Sequence, residues 1–96
     1  MKEIKIYYAS VCSLCHKAMD YFDSENIPYT KYELVYNKEL DIFEDNQNYK
    51  DLKETLQKDV NVVPQFFIGK THIQGWKTLE PMIKSGEFNK LLNSDE

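Results

Sequence analysis

Two cysteines lie two residues apart near the amino terminus, in Val11-Cys12-Ser13-Leu14-Cys15-His16. A Cys-x-x-Cys pair can carry two electrons as a dithiol and disulfide. With a histidine directly behind it the same string fits the attachment site of a c-type haem, and a cysteine pair is also half of a zinc site. Haem attachment needs both thiols, His16 as ligand and normally an exported apoprotein in a helical setting. Structural zinc wants four ligands, and beyond Cys12, Cys15 and His16 only His72, far away in the sequence, remains among the Cys and His residues. The elements around the pair must therefore separate the three chemistries.

Residues 3–9 alternate Ile4, Ile6 and Tyr8 with charged positions and read as a strand. Cys15, Ala18, Met19 and Phe22 then follow at helical spacing, which puts Cys15 on the buried face. Asn26 fits a helix end, and Pro28 cannot continue the helix. A second strand, rich in Tyr and Thr, is expected over 29–34. Residues 35–48 are polar and weakly patterned, and are expected to form a loop with a turn of helix around 40–43. Tyr49, Leu52 and Leu56 mark one face of a helix running to about residue 58. Pro64 starts a hairpin, with strands 65–68 and 71–74 about a tight Gly69-Lys70 turn. After Gly75, Thr78 is the expected N-cap of a helix with Pro81 in its first turn, closed by Ser85-Gly86. Phe88, Leu91 and Leu92 give a short last helix.

The expected fold class is therefore α/β: a four-stranded mixed sheet flanked by helices, in the order β-α-β-α-β-β-α. Its first two strands pair in parallel and the hairpin is antiparallel. A Cys-x-x-Cys at the first strand-to-helix junction of such a unit reads as a thioredoxin-like redox site, and a strand before Cys12 opposes the haem reading.

A chain of 96 residues has room for one small domain, spanning 1–96. Hydrophobic residues make up 42% and charged residues 29%, near the globular average. The formal charge of -4, without a block of Lys or Arg, argues against nucleic acid as a partner. No apolar signal core and no transmembrane span is visible, so the expectation is a cytoplasmic monomer with no membrane contact and cysteines that stay reduced outside catalysis.

At this point the sequence resembles the glutaredoxin family over nearly its whole length. The resemblance rests on Tyr7 five residues before Cys12, the Cys12-to-Cys15 motif with Lys17-Ala18 behind it, Val63-Pro64-Gln65-Phe66-Phe67-Ile68, and Gly75 before the last helices. It implies a thioredoxin fold, a cis peptide before Pro64 facing the cysteines, and glutathione bound along that segment as co-substrate. The partners it implies are disulfide-containing or glutathionylated proteins.

Four positions depart from the family pattern. Ser13-Leu14 stand where Pro-Tyr is usual, Ala9 where a basic residue is usual, Val62 where Thr is usual, and Gln74-Gly75-Trp76-Lys77-Thr78 where Gly-Gly-x-Asp-Asp is usual. The glycine carboxylate of glutathione thereby loses one anchor and the γ-glutamyl end its acidic partner. Ile73-Gln74-Gly75-Trp76-Lys77 also resembles the small redoxins that reduce ribonucleotide reductase and are reduced by thioredoxin reductase. Ser13 matches family members that share an iron-sulfur cluster between two glutathione-bridged subunits, a third possibility; no metal site within one chain is expected.

Cys12 falls at a helix N-terminus, where unpaired N–H groups and the helix dipole favour an anion, so it is the expected nucleophile and a good leaving group. Cys15, one turn further and more buried, is the expected resolving thiol. Tyr7 is either a wall of the glutathione site or a core residue of the strand. Pro64 holds a bend, Val63 offers its backbone to the cysteinyl part of glutathione, and Gly75 allows a turn or close backbone approach. Trp76 can dock a protein, pack or touch the ligand. Thr78 and Lys77 can hold the γ-glutamyl carboxylate, Thr78 equally being a plain N-cap.

Overall fold

The computed structural model describes residues 2–94. Strand β1 (Ile4–Tyr8) runs into helix α1 (Ser13–Ser24), and β2 (Thr30–Glu33) returns beside β1 in parallel. After a short two-stranded hairpin, β3 (Tyr36–Asn37) and β4 (Ile42–Phe43), come helix α2 (Gln47–Leu56), strands β5 (Gln65–Ile68) and β6 (Thr71–Gln74), and helices α3 (Trp76–Ser85) and α4 (Glu87–Asn93). The main sheet has the order β2-β1-β5-β6, with β5 antiparallel to both of its neighbours. The mixed sheet and its flanking helices are those expected from the sequence. Among the described residues no helix is long and apolar enough to cross a membrane.

The strands present different residues to each face, and both faces are covered. Ile4 and Ile6 of β1, Phe66 and Ile68 of β5 and Ile73 of β6 pack with Phe22 of α1, Leu79 of α3 and Phe88 of α4 in the larger core. The opposite face carries Tyr7 and Phe67 against Leu52 of α2, with Leu34 and Val60. Helix α1 buries Cys15, Ala18, Met19 and Phe22, the stripe that helical spacing selects. It ends in a Schellman motif: Asn26 takes a left-handed φ of 56°, its N–H reaches Asp23 O at 3.2 Å, and Ile27 N–H reaches Phe22 O at 2.8 Å. This termination ends the helix ahead of Pro28 and β2.

Two expectations are corrected. Residues 35–48 are not a loop with a helical turn around 40–43, because Tyr36 pairs with Phe43 and Asn37 with Ile42 in an antiparallel hairpin. Asn37 Oδ1 accepts the N–H groups of Glu39 (3.0 Å) and Leu40 (3.1 Å) to close the turn, and the Tyr36 hydroxyl donates to the Asp41 carboxylate. The Tyr36 and Phe43 rings meet edge to face at 5.5 Å, and Phe43 continues to Tyr49 of α2 at 5.7 Å. Ring contacts of this kind secure a hairpin whose strands are too short to stand alone.

The second correction concerns the start of α3. The helix begins at Trp76, two residues before the expected Thr78 cap, and Pro81 lies inside it rather than in the first turn. Gly75 is the reason. Its φ of 89° suits glycine, and its carbonyl already accepts from Thr78 N–H (3.3 Å) and Leu79 N–H (3.2 Å), so the first helical bonds start there. Nothing lies within 4 Å of where a Cβ would stand on Gly75, so the backbone conformation, not crowding, requires glycine. Pro81 is tolerated because the carbonyl it leaves without an amide partner is that of exposed Lys77.

Candidate active site

Cys12 is the N-cap of α1. Its backbone is extended (φ -92°, ψ 109°), and its sulfur accepts the N–H of Cys15 at 3.1 Å. The Cys12 N–H is held by Ala9 O (3.0 Å), which fixes the step from β1 into the helix. One free amide of the helix start is thus aimed at the sulfur, the arrangement that binds anions at helix N-termini. Cys15 is fully buried, and both cysteines are free thiols. Burial pushes the Cys15 thiol far above its ordinary range, and the hydrogen bond its side chain shares with Cys12 raises it further. Cys15 therefore stays a protonated thiol behind a partly exposed Cys12.

The segment opposite Cys12 is held from below. The Val63-Pro64 peptide is cis, and the Val63 carbonyl lies 3.8 Å from Cys12 Sγ, in reach of its thiol proton. Buried Gln65 donates to Val62 O (2.9 Å) and to Gln74 Oε1 (3.2 Å), and accepts from His72 Nε2–H at 2.6 Å. A buried amide with all its bonds made is a rigid strut. Gly75 N–H donates to Pro64 O at 2.8 Å, which fastens the start of α3 to the same segment.

An open hollow of about 370 Å³ lies beside Cys12, lined by Ala9, Val11, Tyr36, Phe43, Val62 and Val63 and by the polar side chain of Asn61. Among the described residues no group of three or more His, Cys, Asp and Glu is arranged to hold a metal ion. His16 donates to Ser10 O at 2.8 Å, and His72 is occupied with Gln65. A partly exposed sulfur that accepts a helix-start amide, a second thiol one turn behind and a backbone edge facing the first make an arrangement suited to thiol-disulfide exchange.

Comparison with known proteins agrees with this geometry. The glutaredoxin family model matches residues 4–73. The chain belongs to the glutaredoxin family. It is 30% identical over 91 residues to glutaredoxin 1 of Rickettsia conorii, covering 95% of this chain and 81% of that one. With glutaredoxin 1 of Rickettsia felis it shares 32% over 89 residues, covering 93% and 79%. In fold it is similar to a dithiolic glutaredoxin of Trypanosoma brucei brucei, with a TM-score of 0.69 at 20% identity over 96% of this chain and 88% of that one. It is similar also to buckwheat glutaredoxin in its glutathione complex, with a TM-score of 0.68 at 20% identity over 95% and 76%. As a glutaredoxin the chain is a thiol-disulfide oxidoreductase with a thioredoxin-like fold.

Seen as a glutaredoxin, the residues singled out from sequence divide into two groups. Cys12, Cys15, Val63, Pro64 and Gly75 are brought together by the contacts above. Lys77 and Thr78 are exposed on the first turn of α3, which Gly75 ties to Pro64. Trp76 is buried at 8% exposure in the larger core, 6.4 Å from Tyr21, so its ring serves packing. Tyr7 points to the α2 face, stacked on Tyr32 at 4.8 Å and edge-on to Phe67 at 5.9 Å, and is not among the walls of the hollow beside Cys12. Sequence reading missed Val11, Tyr36, Phe43 and Val62 as walls and Gln65 as strut. The available signals were two aromatic residues among the apolar Val35, Leu40 and Ile42 of a weakly patterned stretch, and two valines flanking the reactive segments.

Proposed function

We propose that this glutaredoxin reduces disulfides and glutathione mixed disulfides through Cys12 and Cys15, with glutathione as the reductant. The observation that carries the reading is the amide of Cys15 directed at the Cys12 sulfur, with the Cys15 thiol buried behind it. The Cys12 thiolate attacks one sulfur of a substrate disulfide. The S–S bond breaks, and the departing thiolate takes the electron pair and then a proton. In the dithiol route Cys15 gives up its proton and attacks Cys12 Sγ, releasing the second substrate thiol and leaving a Cys12–Cys15 disulfide. Two electrons have then passed to the substrate. Two glutathione thiols restore the dithiol, and oxidised glutathione leaves. In the monothiol route glutathione itself resolves the mixed disulfide on Cys12.

The amide at the sulfur favours these steps because negative charge on sulfur is what develops as each S–S bond breaks. Val63 suits the cysteinyl part of glutathione: its carbonyl faces Cys12, and among the described residues its N–H has no partner. Exposed Lys77 and Thr78 on the first turn of α3 suit the γ-glutamyl carboxylate.

The test follows reduction of a glutathione mixed disulfide with glutathione, glutathione reductase and NADPH, against the same protein supplied by thioredoxin reductase. The expected result is turnover with glutathione, loss of at least a hundredfold in Cys12→Ser, and retained deglutathionylation in Cys15→Ser, which loses reduction of protein disulfides by the dithiol route. Turnover with thioredoxin reductase alone would replace glutathione as the reductant. Activity surviving in Cys12→Ser but not in Cys15→Ser would reverse the two roles.

A further inference from the structure

Five large hydrophobic residues are exposed among the described residues: Val11 (56%), Val35 (41%), Leu40 (65%), Ile42 (53%) and Val62 (39%). All lie in three segments: the residue before Cys12, the β3–β4 hairpin with its approach, and the residue before Val63. Two of them, Val11 and Val62, line the hollow that also contains Cys12, together with the half-buried residues Tyr36 and Phe43 and the polar Asn61. Apolar surface gathered around a reactive atom marks a contact site more than scattered residues would. No lysine borders this hollow, and the twelve cationic residues of the chain are all lysines.

We propose that the β3–β4 hairpin is a specificity wall: the groove between it and Cys12 takes a bulky apolar side chain next to the reducible half-cystine of a polypeptide substrate. The inference rests on Cys12 being the attacking sulfur. A substrate bonded to Cys12 Sγ must run its neighbouring residues across this groove, since the sulfur is itself part of the lining. The edge of Val63 offers backbone pairing to an extended segment, which directs the adjacent side chain against Val11, Tyr36, Phe43 and Val62. A carboxylate in that position would lose water with no cation and only the Asn61 amide to replace it, so the glycine end of glutathione is a poorer occupant than an aliphatic or aromatic side chain. The volume lies in the lower part of the range of small binding sites, enough for one such side chain.

The experiment uses two peptides, each with one cysteine in disulfide linkage to thionitrobenzoate, one flanked by Leu or Phe and the other by Ser and Asp. The rate of thionitrobenzoate release by the reduced protein is read in single turnover. The Leu- or Phe-flanked peptide should react roughly tenfold faster, the scale set by partial burial of one apolar side chain. In Tyr36→Ser, and in Val11→Ser, whose exposed side chain is dispensable for folding, that ratio should fall to about two or less, because part of the buried surface is gone. The ratio is unmoved by changes in Cys12 reactivity common to both peptides. Equal rates in the unaltered protein, or an unchanged ratio in both variants, would overturn the proposal while leaving exchange chemistry intact. Failure of both peptides to react would instead overturn the role of Cys12. If the rates are equal and sedimentation shows a dimer that Val11→Ser dissociates, the groove belongs to a second copy of the chain, and the proposal falls.

Discussion

The two sulfurs differ by one helical turn and by their access to water, and that difference sets testable chemistry at single residues. With Cys12 partly exposed and Cys15 fully buried, iodoacetamide at neutral pH should carboxamidomethylate Cys12 alone in the native reduced protein, and both only after denaturation. Peptide mass mapping of the trapped protein checks this, and rapid labelling of Cys15 in the native state would contradict its burial. The raised Cys15 thiol also links stability to pH. The folded protein holds this proton to higher pH than the unfolded chain does, so its contribution is complete below the ordinary thiol value of about 9 and declines as pH rises beyond it. The slope for one proton is at most about 1.4 kcal/mol per pH unit. Burial raises Tyr7, Tyr21 and Tyr29 as well, which gives the same sign at somewhat higher pH. The diagnostic quantity is therefore the difference from Cys15→Ala: urea midpoints at pH 8 and pH 10 should separate less in the variant than in the parent.

At the scale of elements, the strut under the active segment is Gln65. Its replacement by Leu removes the bonds to Val62 O, His72 and Gln74, all of which lie near enough to solvent to recover water. The expected loss of stability is accordingly modest, about 1–2 kcal/mol. The rate of disulfide reduction should fall by more than that loss accounts for, since the Val62–Val63 backbone loses its anchor. Urea unfolding and kcat/KM measured together decide it; a stability loss with full activity would make Gln65 a packing residue only. Much of this level was legible in the sequence. Strands β5 and β6 have the expected limits because Pro64 and the Gly69-Lys70 turn mark both ends, and the stripe Cys15, Ala18, Met19, Phe22 gave the buried face of α1. The β3–β4 hairpin was not legible, since strands of two residues have no period and Tyr36 meets Phe43 only through the turn. The start of α3 was misplaced because Thr78 and Pro81 imitate a cap and a first turn, whereas the deciding features, the positive φ of Gly75 and its bond to Pro64, are tertiary. Alternation does separate Tyr7 from the face of Ile4, Ile6 and Tyr8, but it cannot tell a ligand wall from a second core.

For the molecule as a whole, the sheet is packed on both sides and the larger core is organised around Phe22, whose ring meets Phe66, Phe88 and Tyr29 at centroid distances of 6.1, 6.1 and 5.3 Å. Phe22→Ala should cost about 3–5 kcal/mol. In a domain with a typical total of about 5–15 kcal/mol this is a large share, readable as a lower urea midpoint and a partly unfolded population at 37 °C. A midpoint unchanged by this substitution would place the core elsewhere.

The small hairpin shares no ladder with the four-stranded sheet. A bond from Glu44 N–H to Val35 O at 2.7 Å only closes the hairpin's own base, and the hairpin is fastened to the body through the Phe43 ring against Tyr49 of α2. The residues of its tip can therefore change with little effect on the electron-transferring thiols. On the proposed role of the hairpin, drift at Tyr36, which faces the groove but is not the Phe43 anchor, gives sister chains a route to different clienteles while they keep a common engine.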